Sequence, residues 1–227
     1  METQPHSLQF VPIFADLPID TLEKIEKIGS TRNYTKDEPI LLEEDAGNGL
    51  FVILSGKVKV SRSSTDGREV ILTILGESDF FGEMAILDGL SRSANVIATE
   101  EAKVFLIQRN DFLLLLHEHP EISIILLQEL TSRLRNADMK IKALSLKDAE
   151  GKVATVLLQI AEYSGTIKAG VVEISQLPVQ QDLANMAGTS RETISRTLHS
   201  FAKRGFVELD GSKLRIINFE EFKENFE

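Results

Sequence analysis

The chain is 227 residues long, room for two modest domains, and its 42% hydrophobic and 26% charged residues are the balance of a globular protein and not of a disordered tail. A formal net charge of −10 means that the surface as a whole repels polyanions, so any nucleic-acid contact has to come from a local basic patch. The absence of cysteine excludes disulfides, Cys-ligated zinc, cysteine-held iron–sulfur clusters and thiol redox sensing. No apolar run approaches the length of about eighteen residues that a membrane span needs. The opening METQPHSLQF has no basic segment followed by an apolar one, so no secretory signal is expected. A cytoplasmic protein with no membrane partner is expected, nucleoid-associated when bound to DNA.

Pro18-Ile19-Asp20 with Leu22, Ile25 and Ile28 reads as a short amphipathic helix. Apolar runs then recur at roughly ten-residue intervals, at 40–42, 51–54, 58–60 and 70–75, punctuated by Gly47, Gly49, Gly56, Gly67, Gly76, Gly82 and Gly89. Short strands with turn residues at that spacing predict a sandwich or barrel of the jelly-roll kind. Residues 58–64 and 69–75 flank Thr65-Asp66-Gly67 as a hairpin, and 95–98 with 103–108 are expected to pair and close the sheet.

After Asn110-Asp111 the period changes. Leu127, Leu130, Leu134, Ala137, Ile141 and Leu144 are separated by 3, 4, 3, 4 and 3 residues, with Arg133, Arg135, Lys140 and Lys142 around them. The seam is either a helix packed along its own domain or a parallel coiled coil that makes a homodimer. The narrow stripe and charged flanks favour the dimer. A boundary falls near 145–148, where Asp148 and Glu150 cap a helix running to Tyr163, with Val153, Val156, Leu157 and Ile160 on one face. Residues 165–170 read as a loop or β-turn and 171–174 as a strand.

Gln181, Leu183, Ala184, Met186 and Ala187 form a short helix ended by Gly188. Thr189-Ser190 opens a second, with Ile194, Leu198 and Phe201 as its apolar face. A small residue four before a turn glycine and an aliphatic six after it suit two helices crossing closely, the helix-turn-helix, with a plain αα-hairpin as the bland alternative. Between Gly188 and Arg204 four basic residues (Arg191, Arg196, Lys203, Arg204) face one acidic (Glu192), a local patch of +3. Thr189, Ser190 and Thr193 suit phosphate oxygens beside a helix N-terminus. Residues 206–209 and 213–217 alternate around Asp210-Gly211 as a β-hairpin, which completes a winged helix-turn-helix for double-stranded DNA.

Two stretches carry a specific resemblance. Phe81-Gly82-Glu83-Met84-Ala85-Ile86-Leu87 followed by Arg92-Ser93-Ala94 resembles the phosphate-binding cassette of cyclic-nucleotide-binding domains. Ser190-Arg191-Glu192-Thr193-Ile194-Ser195-Arg196 resembles the recognition helix of the cyclic AMP receptor protein and FNR (Crp/Fnr) family of bacterial transcription regulators. The resemblance spans nearly the whole chain. It implies an α+β fold: an N-terminal cyclic-nucleotide-binding β-roll (jelly roll) over 1–118, a long dimerisation helix and hinge over 119–146, and a C-terminal winged helix-turn-helix over 147–227.

A cyclic phosphate carries one negative charge, so its burial calls for a charge-assisted partner. Arg92 supplies a planar fork of donors, Ser93 a hydroxyl, and Gly82 close approach of the backbone. Met84 and Ala94 complete the cassette, and in family terms Glu83 accepts the ribose 2′-hydroxyl. A surface ion pair of Glu83 and Arg92 is the bland alternative. Arg133 matches a family arginine that approaches Glu83 and the ligand. Where cyclic AMP sensors carry a Thr-Ser pair for the adenine amino group, this chain has Ala137 and Asp138, of which only Asp138 can accept that hydrogen bond. Cyclic AMP is the expected effector, and no cofactor is required. Cyclic GMP, a small organic acid such as 2-oxoglutarate on Arg92, a haem held by His6, His117, His119, His199 or a methionine, and ligand-free activity stay open.

Arg191, Glu192, Ser195 and Arg196 lie at i, i+1, i+4 and i+5, where arginine to guanine and glutamate to cytosine are the favoured major-groove pairings. Gln181, Thr189, Ser190 and Thr193 are counted with them. The family's cyclic AMP branch, with Arg-Glu and a later Arg, reads TGTGA-like half-sites. Its FNR branch lacks the first Arg, carries Ser in the second slot and reads TTGAT. With both Arg191 and Ser195 present, a palindrome of TGTGA-like half-sites is expected. RNA polymerase is the expected further partner, through residues 165–170. An enzyme is not expected, because no nucleophile–base pair, paired-carboxylate site or metal cluster stands out and Gly82-Glu83 lacks Walker spacing. A regulatory subunit or channel with the cassette alone has no use for the basic recognition segment.

Overall fold

Leu50, Phe51, Val52 and Ile53 are consecutive apolar residues without alternation, the pattern of a strand buried on both faces. The computed structural model, which describes residues 7–168 and 170–226, has all four in one such strand. His6 lies outside the described residues. Two 3-10 turns (Ser7–Phe10 and Pro12–Phe14) precede α1 (Ile19–Ile28), β1 (Ser30–Tyr34), β2 (Pro39–Leu41), β3 (Gly49–Ser55), β4 (Val58–Ser63), β5 (Glu69–Leu75) and β6 (Phe80–Phe81). There follow α2 (Glu83–Asp88), β7 (Asn95–Ala98), β8 (Ala102–Gln108), α3 (Arg109–Glu118) and α4 (Pro120–Leu146).

The strands form two four-stranded antiparallel sheets, β1-β8-β3-β6 and β2-β7-β4-β5. Phe51 and Ile53 of β3, with Val104 and Leu106 of β8, meet Val58, Leu75, Val96 and Ala98 of the other sheet in one core. The alternate residues Leu50, Val52, Phe105 and Ile107 face the opposite way. They pack with Leu22 and Ile25 of α1, Phe112 of α3, and Ile122 and Leu126 of α4. The expected pairing of 95–98 with 103–108 is corrected: β7 pairs with β2 and β4, while β8 pairs with β1 and β3. The chain changes sheet between them, as a jelly roll requires, and strands close in sequence then have no reason to be partners. The 58–75 hairpin forms as expected, with Gly67 at φ 82° in its turn.

The chain divides into two compact units, one ending at Arg133 and the other beginning at Leu134, inside α4. The second unit continues with α5 (Ala149–Ser164), β9 (Thr166–Lys168), β10 (Val171–Ile174), α6 (Gln180–Ala187), α7 (Arg191–Lys203), β11 (Val207–Asp210), β12 (Lys213–Ile216) and α8 (Phe219–Phe226). Asp148 caps α5, its carboxylate accepting from the Gly151 N–H at 2.8 Å. Residues 165–170, read from sequence as loop or turn, contain the strand β9, which adds to the edge of a sheet ordered β11-β12-β10-β9. Ala169 lies outside the described residues. Three residues are too few for an alternation to register, and β9 is exposed along its length, so only the pairing with β10 reveals it.

Helix α8 was not anticipated. Asn218 accepts at its start from the Glu221 N–H (3.3 Å), and Phe222 and Phe226 join Phe201 and Phe206 in a cluster with ring centroids 4.9–6.4 Å apart. Such ring pairs contribute about 0.5–1.5 kcal/mol each beyond area burial. Among the described residues no helix is long and apolar enough to cross a membrane.

Candidate functional site

Gly82 ends β6 and caps α2 with φ 87° and ψ 2°, a left-handed conformation. A Cβ there would lie 2.7 Å from Arg92 Nη1 and 2.9 Å from the Gly49 carbonyl oxygen. The vacant side-chain volume is taken by the guanidinium: Arg92 Nη1 donates to the Gly82 carbonyl (2.7 Å) and Nη2 to the Gly49 carbonyl (3.0 Å). The side chain passes over the Phe51 ring at 5.6 Å, and its residue is 4% exposed. Backbone bonds from the Arg92 N–H to the Asp45 carbonyl and from the Glu44 N–H to the Arg92 carbonyl fix the segment between α2 and β7 that carries it (2.8 and 2.9 Å). The buried Nε–H of Arg92 has no acceptor among the described residues.

Glu83 opens α2 and is 3% exposed. Arg133 of α4 reaches it, Nη1 donating to Oε1 (3.1 Å) while Nη2 donates to the Phe80 carbonyl (2.8 Å) and the guanidinium lies 4.6 Å from the Phe80 ring centroid. Burial pushes the Glu83 carboxyl above the ordinary carboxylate range; Arg133 and then Arg92 pull it back, and the charge of Glu129 adds to the rise. Burial likewise lowers Arg92 from its ordinary value, opposed by Glu83 and Asp45. Two guanidiniums, Arg92 and Arg133, stand against the buried Glu83 carboxylate, with the half-buried Glu129 and the exposed Asp45 acting on them as well. The Ser93 hydroxyl is exposed and turned to the Met84 sulfur at 3.6 Å; Ala94 is buried.

Gly82, Glu83, Met84, Arg92, Ser93, Ala94 and Arg133 therefore belong to the first unit and share one neighbourhood. Glu83 is no surface ion-pair residue: its partner is Arg133, and Arg92 binds main chain. Ala137 and Asp138 belong to the second unit's part of α4 and are exposed. The carbonyls of Gly49 and Phe80, the rings of Phe51 and Phe80, and Glu129 went unread in the sequence. A main-chain acceptor leaves no side-chain signal.

In the second unit α6 ends at Gly188 (φ 59°), whose N–H bonds to the Ala184 carbonyl. Ser190 caps α7, its hydroxyl accepting from the Thr193 N–H at 3.2 Å. Ile194, Leu198 and Phe201 are buried, while Gln181, Ser190, Arg191, Glu192, Ser195 and Arg196 are exposed and Thr189 and Thr193 half-buried. The Gln181 amide donates to Asn185 at 3.0 Å. The patch of +3 is corrected: Arg204 pairs with Glu150 of α5 and lies over the Phe206 ring at 4.7 Å, so its charge is neutralised there. Arg191, Arg196 and Lys203 remain.

On α4 the apolar seam splits. Leu127, Leu134 and Ile141 are 62–63% exposed and Ala137 is exposed. Leu130 packs on the first unit's core, and Leu144 packs at the Gly188 turn of the second. Ile124 is likewise 60% exposed. His119 bonds Glu121 (3.1 Å), and His117 and His199 are exposed. Among the described residues no three His, Asp or Glu side chains stand together as metal ligands.

An effector-type β-roll and a winged helix-turn-helix on one polypeptide are the two halves of a transcription regulator. Residues 31–119 match the cyclic nucleotide-binding domain family, and 151–224 the Crp-like helix-turn-helix domain. The CRP-like cAMP-activated global transcriptional regulator of Mycobacterium tuberculosis is 35% identical over 83% of this chain and 84% of its own. The cyclic AMP receptor protein of Thermus thermophilus is 35% identical over 87% of this chain and 88% of its own. FixK2 from Bradyrhizobium japonicum shares the fold, with a TM-score of 0.77 at 23% identity, covering 88% of this chain and 98% of that one. The chain belongs to the Crp/Fnr family of bacterial transcription regulators, whose members regulate transcription and are not enzymes.

Proposed function

We propose that this transcription regulator is a homodimer gated by a cyclic nucleotide, cyclic AMP first, and that it reads a palindrome of TGTGA-like half-sites. The observation that carries the gating is the Arg92 cradle. It is a buried guanidinium at a left-handed glycine, with one donor, Nε–H, that no group among the described residues accepts. A singly charged cyclic phosphate suits that donor and the Ser93 hydroxyl, with Met84 and Ala94 as apolar walls. Glu83 takes the ribose 2′-hydroxyl, and Arg133, holding the same carboxylate, makes α4 sensitive to whether that hydroxyl is present. Ala137 and Asp138 are assigned to base selectivity from their sequence positions. Two relatives at 35% identity, one named as activated by cyclic AMP and one as a cyclic AMP receptor, support the effector.

Dimerisation is assigned to α4. The exposed stripe at Leu127, Leu134, Ala137 and Ile141 supports it, and Leu130 and Leu144 buttress the helix from behind. The dimer sets two recognition helices about 34 Å apart, one DNA turn. Arg191 and Arg196 read guanine, Glu192 reads cytosine, and Gln181, Thr189, Ser190, Thr193 and Ser195 hold phosphate or thymine. RNA polymerase contact is assigned to the β9–β10 hairpin, where Ile167 is 66% exposed. The effector shifts DNA competence only by its differential affinity for the two states.

One observation favours a second reading, a regulator of the same family answering to another small ligand or to none. Both Nη groups of Arg92 and the Glu83 carboxylate already have partners within the chain, so the cradle stands without an anion. Fluorescence anisotropy of a labelled TGTGA-palindrome duplex, at stated salt and with or without cyclic AMP, separates the two. Under the first reading cyclic AMP tightens specific binding, and Arg92→Ala and the milder Ser93→Ala remove or reduce the gain. Specific binding indifferent to cyclic AMP transfers the case to the second.

A further inference from the structure

Between Leu146, the last residue of α4, and Asp148, the cap of α5, stands the half-buried Lys147. Its Nζ donates to the Thr155 hydroxyl of α5 (2.9 Å) and to the main-chain carbonyl of Phe226 at the end of α8. The last carbonyls of a helix have no intrahelical donor and form the negative end of its dipole, so an ammonium group there is well matched. The ring of the same Phe226 packs on Phe201 of α7 at 5.1 Å, on Phe206 at 5.8 Å and on Phe222 at 4.9 Å. Arg204, directly after α7, lies over Phe206 and Phe226 and pairs with Glu150 of α5, while Lys223 of α8 pairs with Glu162 of α5 at 3.1 Å.

We propose that Lys147 and Phe226 are positioning residues that clamp the recognition helix to the α4–α5 joint, which makes α8 a working part of the DNA-reading unit. Phe226 faces two ways: its main chain is held by the joint and its ring holds the buried face of α7. A route from Lys147 to α7 therefore exists through one residue. It is stiff, because interlocked aromatic rings leave little room for repacking without a void. Phe201 is on the buried face of α7 while Arg191, Ser195 and Arg196 are exposed, so a displacement of Phe226 tilts the base-reading residues without touching them. The Glu150–Arg204 pair is a parallel tie, which limits the effect of losing either alone. The clamp is independent of which effector binds. Only its affinity arm rests on the DNA-binding reading.

The test uses the full chain carrying Lys147→Met, which keeps the apolar stem and removes the donor, Phe226→Ala, and both together. Amide hydrogen exchange follows residues 199–204 and 219–226, and anisotropy follows specific and non-specific duplexes. Lys147→Met is expected to speed exchange in both segments and to weaken specific binding about threefold to tenfold with non-specific binding unchanged. The double variant should be no weaker than Phe226→Ala alone, because both act through one contact. Faster exchange confined to 147–155, a uniform rise across the whole second unit, or additive losses in the double variant each overturn the clamp. Should Phe226→Ala fail to fold, the exchange pattern of Lys147→Met decides alone. Should the wild type bind no duplex specifically, the DNA reading falls and the exchange arm still judges the clamp.

Discussion

Arginine serves the two units in opposite ways. In the first, Arg92 is buried against the Gly82 and Gly49 carbonyls, and Arg133 bridges Glu83 and the Phe80 carbonyl. In the second, Arg191 and Arg196 project from one face of α7 into solvent. A buried guanidinium is held where it is by the cost of leaving it unpaired, so its geometry is fixed before a ligand comes. An exposed one stays free to find a base edge or a phosphate. Under the proposed function the first arrangement is a rigid cradle for a small anion and the second an adaptable surface for a large polyanion.

The contrast breaks most sharply at Gly82. Gly82→Ala imposes a left-handed backbone on a side chain and drives a Cβ into the Arg92 fork, leaving buried carbonyls without donors. A loss of about 3 kcal/mol or more is expected in denaturant unfolding of the effector unit. An unchanged midpoint means that the cradle is looser than its distances imply. Next comes Arg191→Ala, expected to relax preference at one G·C pair by about 1–3 kcal/mol, read by anisotropy on single-base variants of the half-site. Equal loss on all sequences instead makes Arg191 a phosphate contact.

The smallest effect is on pH. The folded protein holds the Glu83 carboxyl above its ordinary value of 4.5, so between that value and the raised one the native state binds more protons than the unfolded state. The contribution of Glu83 to stability is present below 4.5 and is lost as pH rises through the raised value. Melting temperature against pH should therefore flatten in that window for Glu83→Gln relative to wild type. Parallel curves would show that Arg133 and Arg92 compensate its burial in full.

Local features were legible in the sequence. The Asp-Gly turns, the Asp148 and Ser190 caps and the helix-turn-helix depend on neighbours within a few residues, and they stand where the spacing predicts. Which apolar residues of α4 are covered within each unit was not legible, because Leu130 and Leu144 are as apolar as Leu127 and Leu134, and only the packing of each unit tells them apart. The partnership of β7 and β8 was misread for a similar reason, since two adjacent strands look like a hairpin until the chain is seen to change sheets.

The residue types of the site, its glycine and the recognition face were determined by sequence alone, since side-chain chemistry and backbone permissiveness are properties of single positions. Where the Arg92 fork points was decided only by the tertiary structure. Its acceptors are carbonyls 10 and 43 residues away, present in every peptide unit and distinguished only by which of them the fold brings within reach. The same holds for Phe226, whose main-chain partner Lys147 lies 79 residues back and whose ring packs on Phe201 of the buried face of α7.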